Sequence, residues 1–78
     1  MSNLPSVNGK IAVKLFEAIG YEVVRVTGSH HIMKREGSAS LINIPVHGNK
    51  SVKKGLLTSQ IKLAGITVDE AIELLNNL

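Results

Sequence analysis

The chain has no cysteine and no tryptophan, one phenylalanine (Phe16), one tyrosine (Tyr21) and two prolines among 78 residues. Without cysteine there is no disulfide to staple a small fold, no thiol nucleophile and no thiolate metal site. That absence fits a reducing compartment, and a cytoplasmic location is expected. With so few aromatics, the chain lacks the stacking side chains that readers of single strands carry on their sheets. Contacts to a nucleic acid would then fall on its backbone and 2′-hydroxyls, with weak sequence selectivity. No apolar run approaches the roughly 20 residues that span a bilayer. The start, Met1-Ser2-Asn3-Leu4-Pro5, shows neither the basic region nor the apolar stretch of a signal peptide, so no membrane role is expected.

Acidic residues are also few, and they are unevenly placed. Nine Lys and Arg against six Asp and Glu give a net charge of +3. All nine cations fall at or before Lys62, with only Glu17, Glu22 and Glu36 opposing them, so residues 1–66 carry +6. Asp69, Glu70 and Glu73 then give the last twelve residues −3. A compact basic body matches a polyanionic partner, or else a solvated surface with a modest excess of lysine.

What is present is 44% hydrophobic residues, enough for one small globular domain over residues 1–78. Ile11, Leu15, Ala18 and Ile19 recur at helical spacing, which predicts a helix over 8–19, capped by Ser6 or Asn8 and stopped at Gly20. The β-branched run over 21–27 predicts a strand, Gly28-Ser29 a tight hairpin turn, and residues 30–35 the returning strand. After a turn at Glu36-Gly37-Ser38, a third strand is expected over 40–46, with Pro45 near an edge or strand end. His47 to Lys50 reads as a loop, and a second helix is expected from about Lys53 to Ala64. Thr67-Val68-Asp69-Glu70 has the capping-box pattern, so a short C-terminal helix should start at Thr67. The order α-β-β-β-α, with its added helix, predicts a two-layer α+β domain. Its antiparallel three-stranded meander should have one packed and one wet face.

The three histidines are the obvious candidates for chemistry, because histidine exchanges a proton near neutral pH. His30 and His31 are adjacent in a strand and must point to opposite faces. They cannot share a ligand unless the strand bulges, and with only His47 as a third candidate no metal site is expected. His30 stands beside Gly28, which permits close backbone approach, and the hydroxyl of Ser29. Arg25, Lys34 and Arg35 lie on the same or the neighbouring strand. A histidine among cations is suited to a phosphodiester: it takes a proton from a ribose 2′-hydroxyl while the cations hold the phosphate. Lys50, Lys53 and Lys54 surround the start of the second helix, where lysine opposes the helix dipole but suits an incoming phosphate. His47 either lies near the phosphate path or fixes its loop through a backbone hydrogen bond, the second being the commoner use.

Together these stretches resemble the HicA toxin family, small mRNA interferases of bacterial toxin–antitoxin modules. The likeness runs through Leu4-Pro5, Leu15 to Gly20-Tyr21, Arg25 with Gly28-Ser29-His30, and Pro45-Val46-His47-Gly48. It continues through Lys54-Gly55 with Leu57 and Ile61, and Ala64-Gly65-Ile66. No piece is specific alone; their order and spacing are. The resemblance implies a fold like the double-stranded RNA-binding domain. It also implies a cofactor-free endoribonuclease that cleaves mRNA and transfer-messenger RNA, with His30 catalytic, and a HicB antitoxin that blocks it. Two other readings of the residues stay open: a non-catalytic RNA-binding domain of the same fold, and a basic module that docks an acidic protein.

Overall fold

The structure, a computed structural model, describes residues 3–78; Met1 and Ser2 of the stretch read for a signal region lie outside it. Its elements run α1 (Gly9–Glu17), β1 (Glu22–Thr27), β2 (His30–Lys34), β3 (Ile42–Pro45), α2 (Lys54–Leu63) and α3 (Val68–Asn76). The three strands form one antiparallel sheet in the order β1-β2-β3. This is the expected α+β fold. α3, at nine residues, is as long as α1.

Local chemistry accounts for the boundaries. Asn8 caps α1, its Oδ1 accepting from the Ile11 N–H at 2.9 Å. Thr67 and Glu70 exchange side-chain and backbone hydrogen bonds at 2.9 and 3.0 Å, completing the capping box of α3. In the two-residue hairpin, φ is positive at Gly28 (59°) and negative at Ser29, the sign pattern of a type II′ turn. β3 starts two residues later than expected. A turn closed by the Ser38 N–H on the Arg35 carbonyl takes up that stretch, and Ser38 Oγ accepts from the Ser40 N–H.

The core gathers Leu15 and Phe16 from α1, Met33 from β2, Ile42 and Ile44 from β3, and Leu57 and Ile61 from α2, all fully buried. Each such side chain contributes roughly 1.5–3 kcal/mol relative to exposure. α1 and α2 both pack on β3, and α3 closes against both helices. The expected division into one packed and one wet face therefore holds for β2 and β3 but not for β1. Val26 shares the packed face with His31 and Ile44 yet stays 56% exposed, and the bulge residue Val24 is 54% exposed, because the helices pack over β3 and leave β1 largely uncovered. β1 also carries a bulge: Val23 pairs with Met33 and Arg25 with Ile32, so Val24 is the extra residue.

Two contacts bring the helix starts toward the end of β3. The Val52 N–H donates to the Val7 carbonyl at 2.8 Å, and Asn8 bridges Ser51. Gly9 is buried against the end of β3; a Cβ there would lie 2.5 Å from the Pro45 oxygen and 2.7 Å from the Val46 Cα.

Candidate active site

Residues directly opposite on neighbouring strands share a face. The register therefore puts Thr27, His30 and Pro45 in one row across the open face of the sheet. Arg25, Ile32 and Asn43 form the next row, and Glu22 with Lys34 the one beyond. His30 is exposed, and its Nδ1 lies 3.1 Å from Asn43 Oδ1. An amide oxygen only accepts, so Nδ1 carries the proton and donates. In the neutral ring this leaves Nε2 with its lone pair free, the form a general base requires. Asn43 is held in turn. Its N–H, on the outer edge of β3, donates to Oε1 of the buried Gln60 at 3.0 Å. A chain of two hydrogen bonds therefore runs from α2 through an edge strand to the imidazole.

Sequence reasoning missed both partners. Gln60 had a signal, a polar residue flanking the apolar stripe of Leu57, Ile61 and Ala64. Asn43 had only its outward position between two isoleucines, and its tie to His30 depends on the register.

The remaining residues divide clearly. Arg25 and Lys34 are exposed on the face of His30, with Glu22 directly opposite Lys34. Ser29 is a tie point. Its carbonyl accepts from the Val46 N–H at 2.7 Å, and its hydroxyl shares a hydrogen bond with His47 Nε2 at 3.1 Å. The Ser29 hydroxyl, read as an RNA-binding group beside His30, is thus engaged with the loop, and His47 is anchored through a side chain rather than the backbone. Gly28 has open space where a Cβ would be, so its need for glycine comes from the positive φ of the turn. Lys50 and Lys53 line a cavity of about 320 Å³ with Pro45, His47, Ser51, Val52 and Leu56. Lys54 is exposed at the start of α2 and does not line that cavity.

Arg35 departs from expectation. It lies just past β2 and half-buried, where its Nη1 donates to the Ile19 carbonyl at 3.2 Å and its Nη2 to the Ala64 carbonyl at 3.3 Å. Its guanidinium also stands over the Tyr21 ring, 4.8 Å from the centroid. These carbonyls close α1 and α2, and a cation there complements both helix dipoles. Arg35 clamps two helix ends, away from the open sheet face that carries His30.

His31 occupies the other face, as alternation requires. Its Nδ1–H donates to the Ser29 carbonyl at 3.3 Å, and its ring lines a separate cavity with Lys10, Lys14 and Glu17. Among the described residues, no three His, Cys, Asp or Glu side chains come together in a way that could hold a metal ion. No helix among them is long and apolar enough to cross a membrane.

A family model described as "HicA toxin of bacterial toxin-antitoxin" matches residues 9–66. That span holds the hairpin, both rows around His30, and α2, leaving out α3. No curated protein matches at a significant level.

Proposed function

The chain belongs to the HicA toxin family of bacterial toxin–antitoxin systems, and on that footing we propose that it is an endoribonuclease in which His30 is the general base. The observation that carries the reading is the exposed His30 ring, whose Nδ1–H is bound by Asn43. Nε2 takes the proton from a ribose 2′-hydroxyl, and the 2′-oxygen attacks the adjacent phosphorus. The bond from phosphorus to the 5′-oxygen breaks, and that oxygen leaves with a proton from water. The products are a 2′,3′-cyclic phosphate and a 5′-hydroxyl. The nucleophile is the RNA's own hydroxyl, so no metal-bound water is needed. Arg25 and Lys34 balance charge on the phosphorane from the sheet face, and Lys50, Lys53 and Lys54 hold the backbone on either side. The partner is a HicB-like antitoxin seated over His30. Cleavage of mRNA and transfer-messenger RNA, and the growth arrest that follows, belong to the same reading, as does a cytoplasmic site of action.

End-group analysis of RNA cut in the presence of EDTA tests it. Cyclic phosphate and 5′-hydroxyl ends are expected, with His30→Ala slower by roughly 100- to 10,000-fold, the usual worth of a general base. A 5′-phosphate product, loss of cutting in chelator, or an undiminished alanine variant overturns the mechanism.

A further inference from the structure

The sheet face around His30 holds no aromatic side chain, because Phe16 and Tyr21 are both spent in the core, edge to face with centroids 6.1 Å apart. A nucleotide brought to His30 must therefore find its base contacts elsewhere. The cavity at the end of β3 meets that need, and we infer that it is a binding pocket for a single unpaired nucleotide next to the bond being cut. This rests on the reading of His30 as an RNA-cleaving residue.

Size is the first argument. About 320 Å³ lies at the low end of the roughly 300–1,000 Å³ typical of small-ligand sites. It suits one nucleotide, and a base still paired in a duplex offers no free face to fill it. The second is the lining. Pro45, Val52 and Leu56 form an apolar wall, while Lys50 and Lys53 bring two cations. A nucleotide has the same two halves, a flat apolar base and an anionic phosphate. His47 adds a planar ring of the kind that stacks on bases, tethered by Ser29 at 3.1 Å and so held against the hairpin.

Position is the third argument. Pro45 is the direct cross-strand partner of His30, and such partners have Cβ atoms about 5 Å apart. Ser29, which holds His47, immediately precedes His30 in the chain. An occupant of the pocket is therefore one residue-width from the proposed base. The cavity beside His31 offers no such arrangement: it lies on the other sheet face and is lined by the Glu17 carboxylate. The assignment gives Pro45, Val52, Leu56 and His47 a role in substrate binding. It makes the substrate RNA with an unpaired base, in a single strand or a loop.

The test is a titration of isotope-labelled wild-type protein, followed by NMR, with adenosine 3′-monophosphate, ribose 5-phosphate and inorganic phosphate as probes. The nucleotide is expected to shift the methyl signals of Val52 and Leu56 and the ring signals of His47. It should bind about five- to tenfold more tightly than the sugar phosphate, the worth of burying part of one base face. Leu56→Ala should reduce that advantage to about twofold, with Leu56→Met, which keeps the volume, retaining it. Equal affinity for nucleotide and sugar phosphate, or shifts confined to the signals of Lys50 and Lys53, overturns the pocket. The titration needs no cleavage. Wild-type protein that binds the nucleotide here yet cuts no RNA keeps the pocket and removes the nuclease. Protein that cuts RNA without any methyl shift does the reverse.

Discussion

Replacing Arg35 by alanine should cost stability and leave RNA binding intact. The guanidinium donates to two helix-closing carbonyls, at 3.2 and 3.3 Å, and covers Tyr21 at 4.8 Å. Hydrogen bonds from a charged donor contribute roughly 1.5–3 kcal/mol each. These two are long and the residue is partly exposed, so about 1 kcal/mol apiece is the fairer figure. The cation–π contact adds about 0.5–1 kcal/mol. The sum, about 2–3 kcal/mol, is a large share of the stability of a small domain. At this size 1 kcal/mol moves Tm by roughly 4–8 °C, so Arg35→Ala should melt about 10–20 °C early. Arg35→Lys keeps the charge but replaces the planar fork by one ammonium, and should recover less than half the loss. The assay is thermal melting by circular dichroism, paired with RNA affinity at a temperature where every variant is folded. A variant that melts within about 2 °C of wild type yet binds RNA tenfold more weakly would refute the clamp. It would return Arg35 to the phosphate-binding surface.

Three other outcomes follow from the same geometry. Asn43→Ala should slow RNA cleavage by roughly tenfold or more while barely moving Tm, because an unheld imidazole samples the wrong tautomer; Asn43→Asp, which still accepts from Nδ1–H, should restore most of the rate, and a rate unchanged in Asn43→Ala would remove Asn43 from the site. Thr67→Ala should cost about 1 kcal/mol by opening the capping box of α3, seen as a Tm lower by roughly 4–8 °C; an unchanged melt would mean that packing alone holds that helix start. Lys50→Ala combined with Lys53→Ala should reduce the slope of log K against log salt for single-stranded RNA by about 1.4; an unaltered slope would show that neither lysine meets a phosphate.

The order of elements was legible because its markers are local. Asn8, Gly20, Gly28 and Thr67 each act within four residues, through a cap or a positive φ, and the sequence shows them directly. The bulge at Val24 had no such marker: in a run of β-branched residues, no glycine distinguishes the one that slips out of register. The exposure of β1 was equally hidden, since Glu22–Thr27 has the composition of a strand under helices, and where the helices lie is a tertiary matter. The contacts of Arg35 were hidden because its partners are backbone carbonyls 16 and 29 residues away, which no side-chain pattern reports. His30 was singled out through its neighbours in sequence. The group that orients it was not, because Asn43 reaches it only through a register set by the turn between β2 and β3.

Gly9 carries a consequence for genetics as much as for packing. Glycine alone lacks a Cβ, so every amino-acid replacement at position 9 must push the first turn of α1 away from Pro45 and Val46. The same two residues connect the row of His30 to the loop of His47. On the proposed activity, a selection for cells that survive induced expression of the chain should return replacements of Gly9 beside those of His30. They would pass for catalytic lesions while every reacting group is still encoded. Only a melting curve would tell the two kinds of survivor apart.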